Sequence, residues 1–215
     1  STPEEQAELT PYIEQYYRQR QSVYNDHEKK FFAKYCQKAW DRRKRNYLKK
    51  QFRNCSMTRY QANFSQQSAF RSEFLNGDTD AFTKNIEQIM SDGQSLKQGN
   101  SSTVVKVEIE GQQLVIKRYN MKSTSHFLRR CLRPSRAAVS WRNANLLEFI
   151  GLPTPRPLGF IEQRQFGLRH QAYFITEYTQ AEELSSVYEQ REPIETEVAQ
   201  INAMFTILEH EQISH

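Results

Sequence analysis

Between residues 31 and 52 the apolar positions Phe31, Phe32, Tyr35, Cys36, Ala39, Trp40, Tyr47, Leu48 and Phe52 recur every three or four residues. That spacing predicts one face of a long helix. Lys30, Lys34, Lys38, Arg42, Arg45 and Lys49 cover much of the rest of it. Tyr12, Ile13, Tyr16 and Tyr17 carry the same period, so residues 1–25 also read as helical. The period weakens from Met57 to Phe74, where the pattern allows short strands. Asp78 to Met90 reads as a short helix leading to the turn signal Asp92-Gly93.

Beyond Gly93 the pattern changes. Val105, Val107 and Ile109 alternate with Lys106, Glu108 and Glu110, the two-residue period of a half-buried strand. Strands are predicted over 95–97, 103–110 and 112–119, with Glu110-Gly111 turning a hairpin. Ser135 can cap a helix running to about Ile150, stopped by Gly151 and Pro153, with Ala137, Trp141, Ala144 and Leu147 on its apolar face. Pro153, Pro155 and Pro157 mark an extended connection. Two more strands follow, 158–162 and 171–176, with a turn near Gly167. Val198, Ile201, Phe205 and Leu208 then predict a helix over 194–210. The order is three strands, a helix, two strands and a helix.

Composition narrows the class. Mean hydropathy is −0.84, yet 13 Phe, 11 Tyr and 2 Trp suffice for a core, which argues against disorder of the whole chain. No stretch approaches the roughly 20 apolar residues of a membrane span, and the polar start Ser1–Gln6 does not read as a signal peptide. Cys36, Cys55 and Cys131 lack metal-binding spacing, so the expectation is reduced thiols in a cytoplasmic protein. Charge is segregated. Bases dominate residues 28–53. From Gly111 to Leu147 there is no acid, while Lys117, Arg118, Lys122, Arg129, Arg130, Arg133, Arg136 and Arg142 all fall there. From Glu177 to Glu197 the only base is Arg191. The basic tracts 28–53 and 117–142 therefore predict a surface that meets an anionic partner. A solvated helix face is the alternative for the first. Nucleic acid is not the expected partner, because no recognition motif accompanies the charge.

A nucleotide phosphate needs backbone N–H groups from a small-residue loop and a cation at a fixed distance. Gln98-Gly99-Asn100-Ser101-Ser102-Thr103 offers the loop between two strands, and Lys117, near the end of the third, offers the cation. Leu96 to Val107 followed by Leu114-Val115-Ile116-Lys117 resembles the first three strands of a protein-kinase-like N-lobe. On that match Gly99 is the middle glycine of the glycine-rich loop. Lys97 and Ser102 stand where the other two would be, Val104 where the following valine would be, and Lys117 is the phosphate-clamping lysine.

The wording of Gly99-Asn100-Ser101-Ser102-Thr103, Lys117-Arg118-Tyr119-Asn120, Leu132-Arg133-Pro134-Ser135-Arg136-Ala137, Trp141-Arg142-Asn143-Ala144 and Thr154-Pro155-Arg156-Pro157-Leu158 resembles the lipopolysaccharide kinase family, from about Leu96 to His215. The resemblance implies an α+β fold: a five-stranded antiparallel sheet plus one helix (93–180), a mainly helical basic extension before it (1–92), and the beginning of an α-rich C-lobe (181–215). It implies ATP and Mg²⁺ as cofactors and a sugar hydroxyl of the lipopolysaccharide inner core, Kdo or heptose, as acceptor. The enzyme would work in the cytoplasm, peripheral on the anionic inner membrane. Backbone groups near Glu177 and Tyr178 would meet adenine. His215 would be the histidine of the catalytic loop, in a structural role. The aspartate and Mg²⁺ ligands that follow it in such kinases are not in this chain, which is expected to transfer nothing by itself. Such kinases pair the strand-three lysine with a mid-helix glutamate. Here the helix offers only Glu148, near its C-terminal end, with Ser140 nearer the expected place. That departure keeps open a non-catalytic nucleotide-binding or scaffold protein of the envelope. A kinase with a protein or small-molecule acceptor is the other alternative.

Overall fold

The computed structural model describes residues 3–19, 26–120, 134–165, 168–181 and 184–210. Two helices open the chain, α1 (Pro3–Gln19) and α2 (Asp26–Lys50). The hairpin β1 (Thr58–Ala62) and β2 (Gln66–Arg71) follows. Its turn is tied by Asn63, whose Oδ1 accepts from the N–H groups of Ser65 (2.9 Å) and Gln66 (2.7 Å). The helix expected over 78–90 is two short ones, α3 (Asp80–Lys84) and α4 (Ile86–Asp92), broken at Asn85. Then come β3 (Gln94–Gln98), β4 (Ser102–Ile109), β5 (Gln112–Tyr119), α5 (Arg136–Phe149), β6 (Pro157–Gln165) and β7 (Leu168–Glu177). Helices α6 (Leu184–Gln190) and α7 (Glu195–His210) end the described chain. Glu110 (φ 51°) and Gly111 (φ 77°) both take the left-handed conformation that a tight β4–β5 hairpin turn requires.

All seven strands form one antiparallel sheet in the order β1-β2-β6-β7-β5-β4-β3. The expected sheet had five strands. Those five are present as β3-β4-β5-β7-β6, with α5 between β5 and β6 in sequence, and the hairpin β1–β2 is added along the edge of β6. Ala69 of β2 lies opposite Phe160 and Phe70 opposite Gly159. The close approach depends on Gly159, where a Cβ would run into the Phe70 ring and the Ala69 carbonyl. The end of β2 is buried on both faces, Ala69 at 0% and Phe70 at 2% exposure, so it lacks the period that advertises a half-buried strand.

Each face of the sheet has its own cover. Helices α3 and α4 place Phe82, Ile86 and Met90 over Val105, Val107, Leu114, Ile116, Tyr173 and Ile175. The other face receives α5 through Ala137, Ala138 and Trp141, which pack on Ala69, Phe160 and Ala172. One sheet, with a core cluster on each face, thus includes strands from both sides of residue 92. The Ser135 hydroxyl caps α5 by accepting from the Ala138 N–H (3.1 Å), and Gly151 (φ 78°) ends it. Helix α2 fastens to the outside of α5. Trp40 and Tyr47 lie against Phe149 with ring centroids 5.0 and 4.8 Å away, and Trp141 Nε1 donates to the Gln51 carbonyl (3.0 Å).

Candidate functional site

Strand alternation decides which side chains share the α5 face. On β5, Leu114 and Ile116 point into the α4-covered core, fully buried. Lys117 therefore lies with Val115 and Tyr119 on the opposite face, toward α5. Its cross-strand neighbours are Val104 on β4 and Phe174 on β7. The ammonium sits 5.3 Å from the centre of the Tyr119 ring. Tyr119 in turn lies opposite Ser102, the first residue after the glycine turn.

The turn between β3 and β4 is closed by the Gly99 N–H, which donates to the Ser102 carbonyl (3.0 Å). At residue 99 a Cβ would meet only the Ser102 carbonyl, at 3.4 Å, so neither the backbone nor crowding demands a glycine there. Asn120, just past β5, grips the turn twice. Its N–H donates to the Ser101 carbonyl (3.1 Å) and its Nδ2 to the Gly99 carbonyl (3.0 Å), with Thr103 Oγ1 also within 3.3 Å. The N–H groups of Asn100 and Ser101 have no protein acceptor among the described residues.

No acid of α5 serves Lys117. Glu148, the only acid of that helix, forms an ion pair with Arg71 of β2. Arg71 is held by its Nε–H donating to the Pro157 carbonyl (3.1 Å) and lies over Trp141 at 5.8 Å. Glu148 is thus drawn to the β2 side, and among the described residues Lys117 makes no ion pair. At Ser140, nearer the expected position, the helix meets β5 through a neutral contact, the Ser140 and Tyr119 hydroxyls 2.7 Å apart. Burial pushes the Tyr119 phenol above the ordinary tyrosine range, with the Ser140 hydrogen bond and the Arg136 charge opposing it.

At the other end of β7 the Glu177 N–H donates to the Arg156 carbonyl and the Tyr178 N–H to the Gln113 carbonyl, both at 3.0 Å. Those two N–H groups are therefore committed within the protein. Lys106 Nζ sits 3.8 Å above the Tyr178 ring, and Glu177 accepts from Arg156 and Gln112. His215 lies outside the described residues, as do Lys122, Arg129, Arg130 and Arg133 of the second basic tract. Tyr119 and Asn120 received no role from the sequence, and Arg118 only a place in the basic tract 117–142. Their signal lay in the segment Lys117-Arg118-Tyr119-Asn120, whose alternation sends Lys117 and Tyr119 to one face and Arg118 to the other.

Among the described residues no three of His, Cys, Asp or Glu stand close enough to hold a metal ion, and no described helix is long and apolar enough to cross a membrane. No protein-family model matches the chain, and no curated protein matches it. Among solved structures, WaaP in complex with acyl carrier protein aligns with a TM-score of 0.36 at 17% identity. The alignment covers 55% of this chain and 42% of that one, so this chain spans less than half of it.

Proposed function

We propose that β3–β7 and α5 form the nucleotide-phosphate-binding part of an ATP-dependent phosphotransferase. The observation that carries the reading is a juxtaposition. A turn with two N–H groups that have no protein acceptor among the described residues, and a lysine that has no carboxylate partner among them, lie on neighbouring strands of one sheet, the lysine on the face that α5 covers. Both features suit a polyphosphate: N–H groups to donate to its oxygens, and a cation whose charge is not already neutralised. Lys117 and the N–H groups of Asn100 and Ser101 would hold the phosphates, with Ser102, Thr103 and Val104 flanking them and the carbonyls near Glu177 and Tyr178 facing the base. ATP, when bound, supplies the phosphoryl group. This chain's residues bind and orient it; no Mg²⁺ ligand is proposed among the described residues.

The acceptor proposed is a sugar hydroxyl of the lipopolysaccharide inner core, Kdo or heptose. That part rests on the wording of the segments from Gly99 to Leu158. An acceptor of that kind is anionic and membrane-embedded, which suits docking of the basic tracts on the inner membrane. A second reading is a nucleotide- or phosphate-binding scaffold without turnover. The engagement of Glu148 by Arg71 favours it, because the usual lysine–glutamate pair is replaced by a neutral contact.

Titration of the chain with a fluorescent ATP analogue tests the binding claim. Wild type should saturate, and Lys117→Ala should raise Kd about tenfold or more, as loss of a charge-assisted contact implies. Equal Kd values for the two proteins would end the nucleotide reading. Mg²⁺-dependent transfer to core oligosaccharide by a parent protein that contains this chain separates the enzyme from the scaffold.

A further inference from the structure

The segment Lys117-Arg118-Tyr119-Asn120 contributes more than its lysine. Asn120 lies where β5 ends beside the glycine turn, and its carboxamide is used on both sides. Arg118 Nε, which can only donate, reaches Asn120 Oδ1 at 3.3 Å, so the amide nitrogen must face the turn. Arg118 is itself anchored to Glu87 of α4 (NH1 to Oε2, 2.6 Å), and Glu87 also accepts from the buried Tyr173 hydroxyl. A line of polar contacts therefore runs from the core, through Glu87 and Arg118, to Asn120 and the turn.

Peptide planarity gives that line a consequence. The Gly99 carbonyl and the Asn100 N–H belong to one trans peptide unit and point in opposite directions. Because Asn120 Nδ2 holds the Gly99 carbonyl, the Asn100 N–H is turned away from Asn120 and kept there. The Asn120 N–H holds the Ser101 carbonyl in the same way. Orienting those planes in advance removes part of the ordering cost that a free glycine turn would meet on binding an anion.

We propose that Asn120, oriented by Arg118, is the positioning residue that sets the Gly99–Thr103 turn in its anion-accepting shape. The proposal rests on the nucleotide-phosphate reading above, and its ligand is the polyphosphate end of the nucleotide rather than the base. Asn120 itself touches no reacting atom; it acts through the backbone of the turn.

The test uses Asn120→Asp, which keeps size and the Arg118 contact but cannot donate to the Gly99 carbonyl. Arg118→Gln, which leaves Asn120 in place without its orienting cation, is the second variant should the first fail to fold. Three probes are titrated into each protein: ATP, inorganic pyrophosphate and adenosine. Amide exchange of residues 99–103 is followed in the absence of any probe. The expected result is about tenfold weaker binding of ATP and pyrophosphate, the scale of one or two lost hydrogen bonds. Adenosine binding should be unchanged, and turn exchange roughly tenfold faster at an unchanged melting temperature. A general loss of structure would instead weaken all three probes together. If Lys117→Ala loses ATP while Asn120→Asp binds as wild type with unchanged exchange, the positioning role is overturned and the nucleotide reading stands. If wild type binds neither ATP nor pyrophosphate, the nucleotide reading falls and the anion-accepting role falls with it; the exchange arm then reports only whether Asn120 holds the turn.

Discussion

At the scale of single residues, the contact between Tyr119 and Ser140 takes the place where a charged pair was expected. A neutral hydrogen bond registers α5 against β5 without spending the charge of Lys117. Tyr119→Phe should therefore destabilise the protein by about 1 kcal/mol, the usual worth of one hydrogen bond. It should leave ATP affinity within about threefold, because the ring beside the lysine stays; urea unfolding and nucleotide titration measure the two effects. The raised Tyr119 phenol also sets a pH window. A group whose folded pKa is raised contributes stability that is complete below its ordinary value, about 10 for tyrosine, and is lost as pH climbs through the raised folded value. Wild type should thus lose stability above about pH 10 more steeply than Tyr119→Phe, in unfolding curves recorded from pH 8 to 11. Parallel slopes would show that the phenol ionises no differently in the folded state.

Among the elements, α2 does two separate things along its length. Its C-terminal half is packed: Leu48 is buried, as is Gln51 just past the helix end, and Trp40 and Tyr47 rest on Phe149 of α5. Its N-terminal half presents Phe31 and Tyr35, 69% and 65% exposed, beside exposed Lys30, Lys34 and Lys38. Trp40→Ala should lower stability by about 2 kcal/mol through lost stacking and burial, whereas Phe31→Ala should change it by less than about 0.5 kcal/mol; thermal melts of the two variants decide. Period explains which elements could be read in advance. Strands β4 and β5 and helices α2 and α5 each keep one apolar face over several turns or pleats, so their spacing announced them. Strand β2 is buried on both sides, and so has no such rhythm. Glu148 was the sole acid to choose from on α5, but nothing in the spacing could reveal that Arg71, 77 residues earlier, would reach it first. The turn and Lys117 stood out because residue type alone suggested chemistry. Asn120 did not, because its role is defined by which carbonyls happen to lie beside it.

For the molecule as a whole, charge and shape divide the labour. The exposed bases of α2 and the acid-rich stretch from Glu177 to Glu197 lie toward opposite ends of the sequence. Reversing Lys34, Lys38 and Arg42 to Glu should abolish co-sedimentation with anionic vesicles while leaving the melting temperature nearly unchanged. Each such base contributes on the order of 1 kcal/mol near an anionic surface. Wild-type binding should itself fade between 0.1 and 1 M salt, as the Debye length shortens from about 10 to 3 Å. Equal recovery on neutral vesicles would reduce α2 to an ordinary solvated helix. The hairpin β1–β2 has a different meaning at this scale. It is a splint laid along a five-stranded frame, and its seat is a single missing methyl at Gly159. Gly159→Ala would act as a wedge, prising β2 off β6, which amide exchange would register in residues 66–71 before residues 168–177. Lifting the splint would also carry away Arg71, and Glu148 would be left without its cation. The added strands are therefore a tether as well as a splint: they bring to the helix's lone carboxylate the cation that holds it.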